Sequence, residues 1–175
     1  RAGLRRVDQR AGLALQVERE HRDLLQRAAG HQLADRVLRP GRLALRQRRD
    51  RPHAGVLQAL KDKGIKTGIL SNGNPDMLNT AVRSTNFEHL LDAVLSVDSL
   101  KTFKIHSSVY QMGLDHFGYD AAETLFVSTN CWDVCGATWF GLPTLWVNRA
   151  NLPMERLDVL PQRVGRDLND VLSLI

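Results

Sequence analysis

Several polar residues in the last two-thirds of the chain stand just after short apolar runs. Ser71 and Asn72 follow the run 65–70, Lys104 lies in the loop after 93–97, and Ser128, Asn130 and Asp133 follow 124–127. If those runs are neighbouring strands of a parallel sheet, their C-terminal ends lie side by side. Helix N-termini and loop amides also converge there, so these groups could meet in one pocket suited to an anion. Each residue also has a plainer use. Ser71-Asn72-Gly73 makes an ordinary cap and turn, and Lys104 an ordinary surface lysine. Asp133 suits the first turn of any helix through the helix dipole, while Trp132 and Tyr110 could simply pack. Their joint occurrence at strand ends favours the site.

The elements that must position these groups alternate as a parallel α/β sheet requires. Strands are expected over 65–70, 93–97, 124–127 and 143–147, and helices over 56–63, 75–84, 107–117, 132–140 and 168–174. Pro75 suits the first position of its helix, and Gly64 closes the helix before it. There is no internal repeat or low-complexity stretch.

Upstream of Arg51-Pro52 the texture differs. Residues 1–51 hold fourteen Arg, no Lys, six acids and no aromatic residue, a net charge of +8 that leaves −3 for the rest of a chain whose total is +5. The basic character therefore belongs to one segment and not to the α/β part, and it makes a nucleic-acid partner an unneeded assumption. Helical spacing of Leu13, Val17, His21, Leu24 and Ala28 predicts an amphipathic helix over 11–29, with a second short one over 33–38 before Pro40. No apolar run reaches eighteen residues, so no membrane span is expected. Cys131 and Cys135 cannot build a disulfide framework and lack the further ligands of a structural zinc site, and they are expected as free thiols packed near the sheet. With no export signal at the N-terminus, a reducing, cytoplasmic setting fits.

The wording of the strand ends resembles the haloacid dehalogenase superfamily in its 2-haloacid dehalogenase (L-2-haloacid, type II) branch. The resemblance is carried by Leu70-Ser71-Asn72-Gly73, Ser96-Val97-Asp98, Phe103-Lys104, Val109-Tyr110 and Ser128-Thr129-Asn130-Cys131-Trp132-Asp133. It continues through Gly136-Ala137, Phe140-Gly141 and Trp146-Val147-Asn148-Arg149, all in the expected order. It implies a Rossmann-like core and hydrolysis of a 2-halocarboxylate to the 2-hydroxycarboxylate and halide. The route is attack by an Asp carboxylate, giving an ester that water hydrolyses. In that reading Lys104 keeps the nucleophile ionised, and Asp133 orients Lys104 and helps activate the water. Ser128 and Asn130 hold the nucleophile or ester, Ser71 and Asn72 bind the substrate carboxylate or the nucleophile, Tyr110 orients the site, and Trp132 walls the substrate. No cofactor is implied, and no metal, because the stretch Ser128-Thr129-Asn130 is neutral and leaves Asp133 as its only carboxylate. Homodimers are usual in the family.

The resemblance also implies a nucleophile on a first strand, in an apolar run followed by Asp, two residues and Gly-Thr. No such run is recognisable here, since Asp8, Asp23, Asp35 and Asp50 all sit among Arg and Gln, and no helical cap can be made out. Ile105 replaces the Pro usual after the lysine, and Cys131 replaces a small residue. The division expected is therefore 1–51, an Arg-rich segment, and 52–175, the α/β core. Three readings of the first segment stand: a divergent cap, a basic arm for nucleic acid or acidic partners, or out-of-frame translation of a GC-rich gene, which its Arg-Ala-Gly-Leu-Gln composition favours. Loss of the first strand would leave apolar sheet edges exposed. The alternatives to a dehalogenase are a phosphatase of the same superfamily, or a non-catalytic binding protein with a basic arm.

Overall fold

Lys66–Ser71 and Thr124–Ser128 have apolar centres, Gly-Ile-Leu and Leu-Phe-Val, and are buried at nearly every position, as strands covered on both faces are. In the computed structural model, which describes residues 53–85 and 87–175 together with the backbone of 12–15, they sit near the middle of a parallel sheet. Its strands are β1 (Gly12–Leu15), β2 (Lys66–Ser71), β3 (Ala93–Ser96), β4 (Thr124–Ser128), β5 (Thr144–Val147) and β6 (Arg163–Gly165), in the order β3-β2-β1-β4-β5-β6. Every neighbouring pair is parallel. The helices are α1 (53–62), α2 (Pro75–Arg83), α3 (Ser107–Phe117) and α4 (Cys131–Phe140). The α/β Rossmann-like class expected from the sequence is the class observed.

β1 corrects the sequence reading, which found no first strand and placed 12–15 inside a helix. The four residues pair on both sides, Leu15 opposite Ile69 of β2 and opposite Val127 of β4. The reason is tertiary. β2 and β4 each present a row of backbone donors and acceptors to the slot between them, and buried groups of that kind must be paired. An apolar Gly-Leu-Ala-Leu segment satisfies both rows, whatever its helical spacing. The remainder of the expected helix over 11–29 and the one over 33–38 lie outside the described residues. Two smaller differences concern the C-terminal end. The three residues of β6 were not foreseen, and the last expected helix is a 3₁₀ segment, Leu168–Ser173, too short to settle into α-helical hydrogen bonding.

Both sheet faces are covered. On one, Val56, Leu57 and Leu60 of α1 pack with Val127, Leu145 and Val171. On the other, Val109, Tyr110 and Leu114 of α3 meet Leu70, Phe126 and Ala137. Burying side chains of this size contributes about 1.5–3 kcal/mol each. Pro75 opens α2 as the sequence suggested, and Asn74 before it caps the helix by accepting from the Met77 amide at 2.9 Å. Among the described residues no helix is long and apolar enough to cross a membrane.

Candidate active site

Lys104 and Asp133 are the charged residues most deeply placed in the described chain, both with fully buried side chains. The Lys104 Nζ donates to Asp133 Oδ2 at 3.3 Å and to the Leu70 carbonyl at 2.6 Å, and stands 5.1 Å from the centroid of the Phe126 ring. Loss of hydration makes an ammonium so placed depend on these partners. Asp133 lies in the first turn of α4, and Tyr110 reaches it from α3, its hydroxyl donating to Oδ1 at 3.1 Å and lying 3.2 Å from the Asp133 carbonyl. The Lys104 loop and the helix that follows it thus both reach one carboxylate more than twenty residues further on.

The two strand-end serines are set by one device. The Ser71 hydroxyl accepts from the Gly73 amide and the Ser128 hydroxyl from the Asn130 amide, each at 3.1 Å and two residues on. A hydroxyl held in this way keeps its O–H as a donor. Because β1 lies between β2 and β4, these serines flank the C-terminal end of the central strand. Asn72 does something the sequence did not indicate. Its Oδ1 accepts from the Lys104 backbone N–H at 2.9 Å, tying the lysine loop to the turn after β2. The Lys104–Ile105 peptide bond is cis.

Of the residues singled out from sequence, Ser71, Asn72, Lys104, Tyr110, Ser128 and Asp133 are therefore gathered at the C-terminal edge of the sheet. Asn130 opens α4, though its side chain does not cap the helix, and Trp132 is half-buried in the first turn. Three participants were given no role in the sequence reading. Ser96, at the end of β3, donates to the Gly73 carbonyl at 2.7 Å and so fixes the turn carrying Asn72; its place in the Ser96-Val97-Asp98 motif was the available signal. The Phe126 ring under Lys104 carried no signal. Gly136 is the third: a Cβ there would stand 2.6 Å from the Tyr110 hydroxyl and 2.5 Å from Ile105 Cγ2, so only glycine lets α4 approach this closely.

The likeness extends beyond geometry. A model of haloacid dehalogenase-like hydrolases matches residues 2–141. The chain belongs to the haloacid dehalogenase-like hydrolase family. Within this hydrolase family, (S)-2-haloacid dehalogenase 1 of Pseudomonas sp. (strain CBS-3) is 45% identical over 109 residues, 62% of this chain and 48% of the relative. The (S)-2-haloacid dehalogenase of Pseudomonas sp. (strain YL) is 36% identical over 118 residues, 67% of this chain and 51% of the relative. The crystal structure of an L-2-haloacid dehalogenase matches with a TM-score of 0.68 at 40% identity, covering 84% of this chain and 67% of that one. The chain spans about half the length of the curated relatives it matches.

Proposed function

We propose that this chain carries the core of a 2-haloacid dehalogenase, which displaces halide from a 2-halocarboxylate and yields the 2-hydroxycarboxylate. The observation that carries the reading is the buried Lys104–Asp133 pair, steadied by Tyr110 and set beside two serines that flank the central strand. In the reaction a carboxylate attacks the carbon bearing the halogen, and the C–halogen bond breaks with its electron pair leaving as halide. Water then adds to the ester carbonyl, the 2-hydroxyacid departs, and a proton passes to solvent. Lys104 stabilises the anionic nucleophile and ester, Asp133 orients Lys104 and helps draw the proton from water, and Ser71 and Ser128 donate to carboxylate oxygens. Asn72 positions Lys104, while Asn130 and Trp132 border the substrate.

The chemistry proposed is independent of metal. Asp133 already receives an ammonium and a phenol, and Ser128-Thr129-Asn130 before it are neutral. A divalent cation would meet a fixed positive charge and one shared carboxylate. A reducing compartment suits the two free, buried thiols Cys131 and Cys135. The nucleophile is where this chain departs from its family. In sequence, Leu15 is followed by Gln16-Val17-Glu18, and the first Asp after it is Asp23.

The decisive experiment is halide release from L-2-chloropropionate by the purified chain, with and without magnesium, beside a phosphate-ester control. Metal-independent release supports the proposal and requires a carboxylate from the first fifty-two residues as nucleophile. Magnesium-dependent phosphate release would replace it with a phosphatase. A folded chain that releases neither would be a dehalogenase core without its attacking carboxylate.

A further inference from the structure

The chain contains five sulfur-bearing residues, two Cys and three Met, and three of them lie together in one apolar cluster. Cys131 and Cys135 are one helical turn apart on α4, so they share a face. The Cys131 Sγ lies 3.4 Å from Met154 Sδ. Cys135 is fully buried, its thiol 3.8 Å from the Val159 carbonyl. Val134, Trp146, Leu157 and Val159 surround the sulfurs with apolar surface. Met154 is only half-buried, which gives the cluster a side open toward solvent.

We propose that Cys131, Cys135 and Met154 form a binding site for a soft monovalent cation of the copper(I) or silver(I) type. Thiolate and thioether sulfur are the ligands such ions select. A hard cation would find no set of oxygens here, and a structural zinc ion needs a fourth nitrogen or sulfur ligand. The charge also balances. As the metal–sulfur bond forms, Cys131 releases one proton to solvent, Met154 contributes a lone pair, and nothing is oxidised or reduced. One thiolate on a monovalent ion leaves the apolar pocket neutral, whereas a divalent ion would leave buried positive charge. Cys135, fully buried one turn along the same helix face as Cys131, brings a third sulfur to the cluster. None of this depends on the proposed dehalogenase activity.

The test is titration of the intact chain with silver nitrate in chloride-free buffer. Bound ion is counted by native mass spectrometry, and ultraviolet absorption follows the metal–thiolate bond. The expected result is one ion per chain with one proton released. Cys131→Ser should abolish uptake, and Met154→Leu should weaken it by roughly tenfold or more while the chain melts as before. Two ions per chain, no tight uptake, or wild-type affinity in Met154→Leu would each overturn the proposal, because each would mean that the three sulfurs do not act as one site. Circular dichroism of both variants separates loss of ligand from loss of fold.

Discussion

Replacing Asp133 by Leu removes the carboxylate that meets both the Lys104 ammonium and the Tyr110 hydroxyl. Lys104 retains the Leu70 carbonyl and the Phe126 ring, neither of which carries the compensating charge. Breaking a buried pair from one side costs about 3–5 kcal/mol, because the remaining ion stays desolvated. Tyr110 keeps the Asp133 backbone carbonyl as an acceptor, so the hydroxyl adds at most about 1 kcal/mol. Against a domain stability of about 5–15 kcal/mol, the single variant is left marginal. With a urea slope near 2 kcal/mol per molar, its unfolding midpoint should fall by about 1.5–2.5 M. Lys104→Met strands the carboxylate and should cost a similar amount. The double variant Lys104→Met with Asp133→Leu strands neither charge and should lie within about 1 kcal/mol of the parent, since apolar residues commonly replace buried pairs without loss. Catalysis should be lost in all three, so the readout is urea unfolding followed by circular dichroism. Additive costs in the double variant, within the ~0.3–0.5 kcal/mol scatter of independent sites, would refute the reasoning. So would single variants that cost less than about 1 kcal/mol, which would mean that water reaches the pair.

Gly136→Ala should destabilise the chain by about 1–3 kcal/mol through overpacking and push the Tyr110 hydroxyl off Asp133. Adding Tyr110→Phe should recover part of that loss in thermal melting, and no recovery would show that the Ile105 contact dominates. Asp170 accepts from the Asp167 and Arg166 amides, which hold its carboxyl below the usual range. Its stabilising contribution is therefore complete above the unfolded value near 3.9 and is lost as pH falls through the depressed folded value. Asp170→Asn should flatten that acid limb of the melting profile, and an unchanged limb would assign it to other carboxylates. Because burial raises the Cys135 thiol to about 11, Cys135 should resist alkylation at pH 8 in the folded chain and react once unfolded, as counted by mass spectrometry.

Much of this protein was legible in the order of its residues. β2, β4 and β5 are short apolar runs bounded by turn residues, and such runs have few ways to bury themselves except in a parallel sheet with helices between them. Pro75 at the start of its helix and Gly64 after the preceding one, where the chain turns at φ 74°, are local chemistry and were equally readable. So was the polar character of the strand ends, with Ser71, Lys104, Ser128 and Asp133 at the positions where a parallel sheet opens its pocket.

What the sequence could not decide was anything set by long-range pairing. Gly-Leu-Ala-Leu lacks the β-branched and aromatic residues that mark a strand, and its spacing fits a helix equally well. It becomes β1 because β2 and β4 leave a slot whose backbone groups need partners on both sides. In the same way, the sequence supplied the charges of Lys104 and Asp133, but only packing removed their water and placed Phe126, Tyr110 and the Leu70 carbonyl around them. The clustering of Met154 with two cysteines more than eighteen positions away belongs to that second class. Local propensity acts over a few residues, whereas desolvation and backbone pairing are settled by whichever segments the fold brings together.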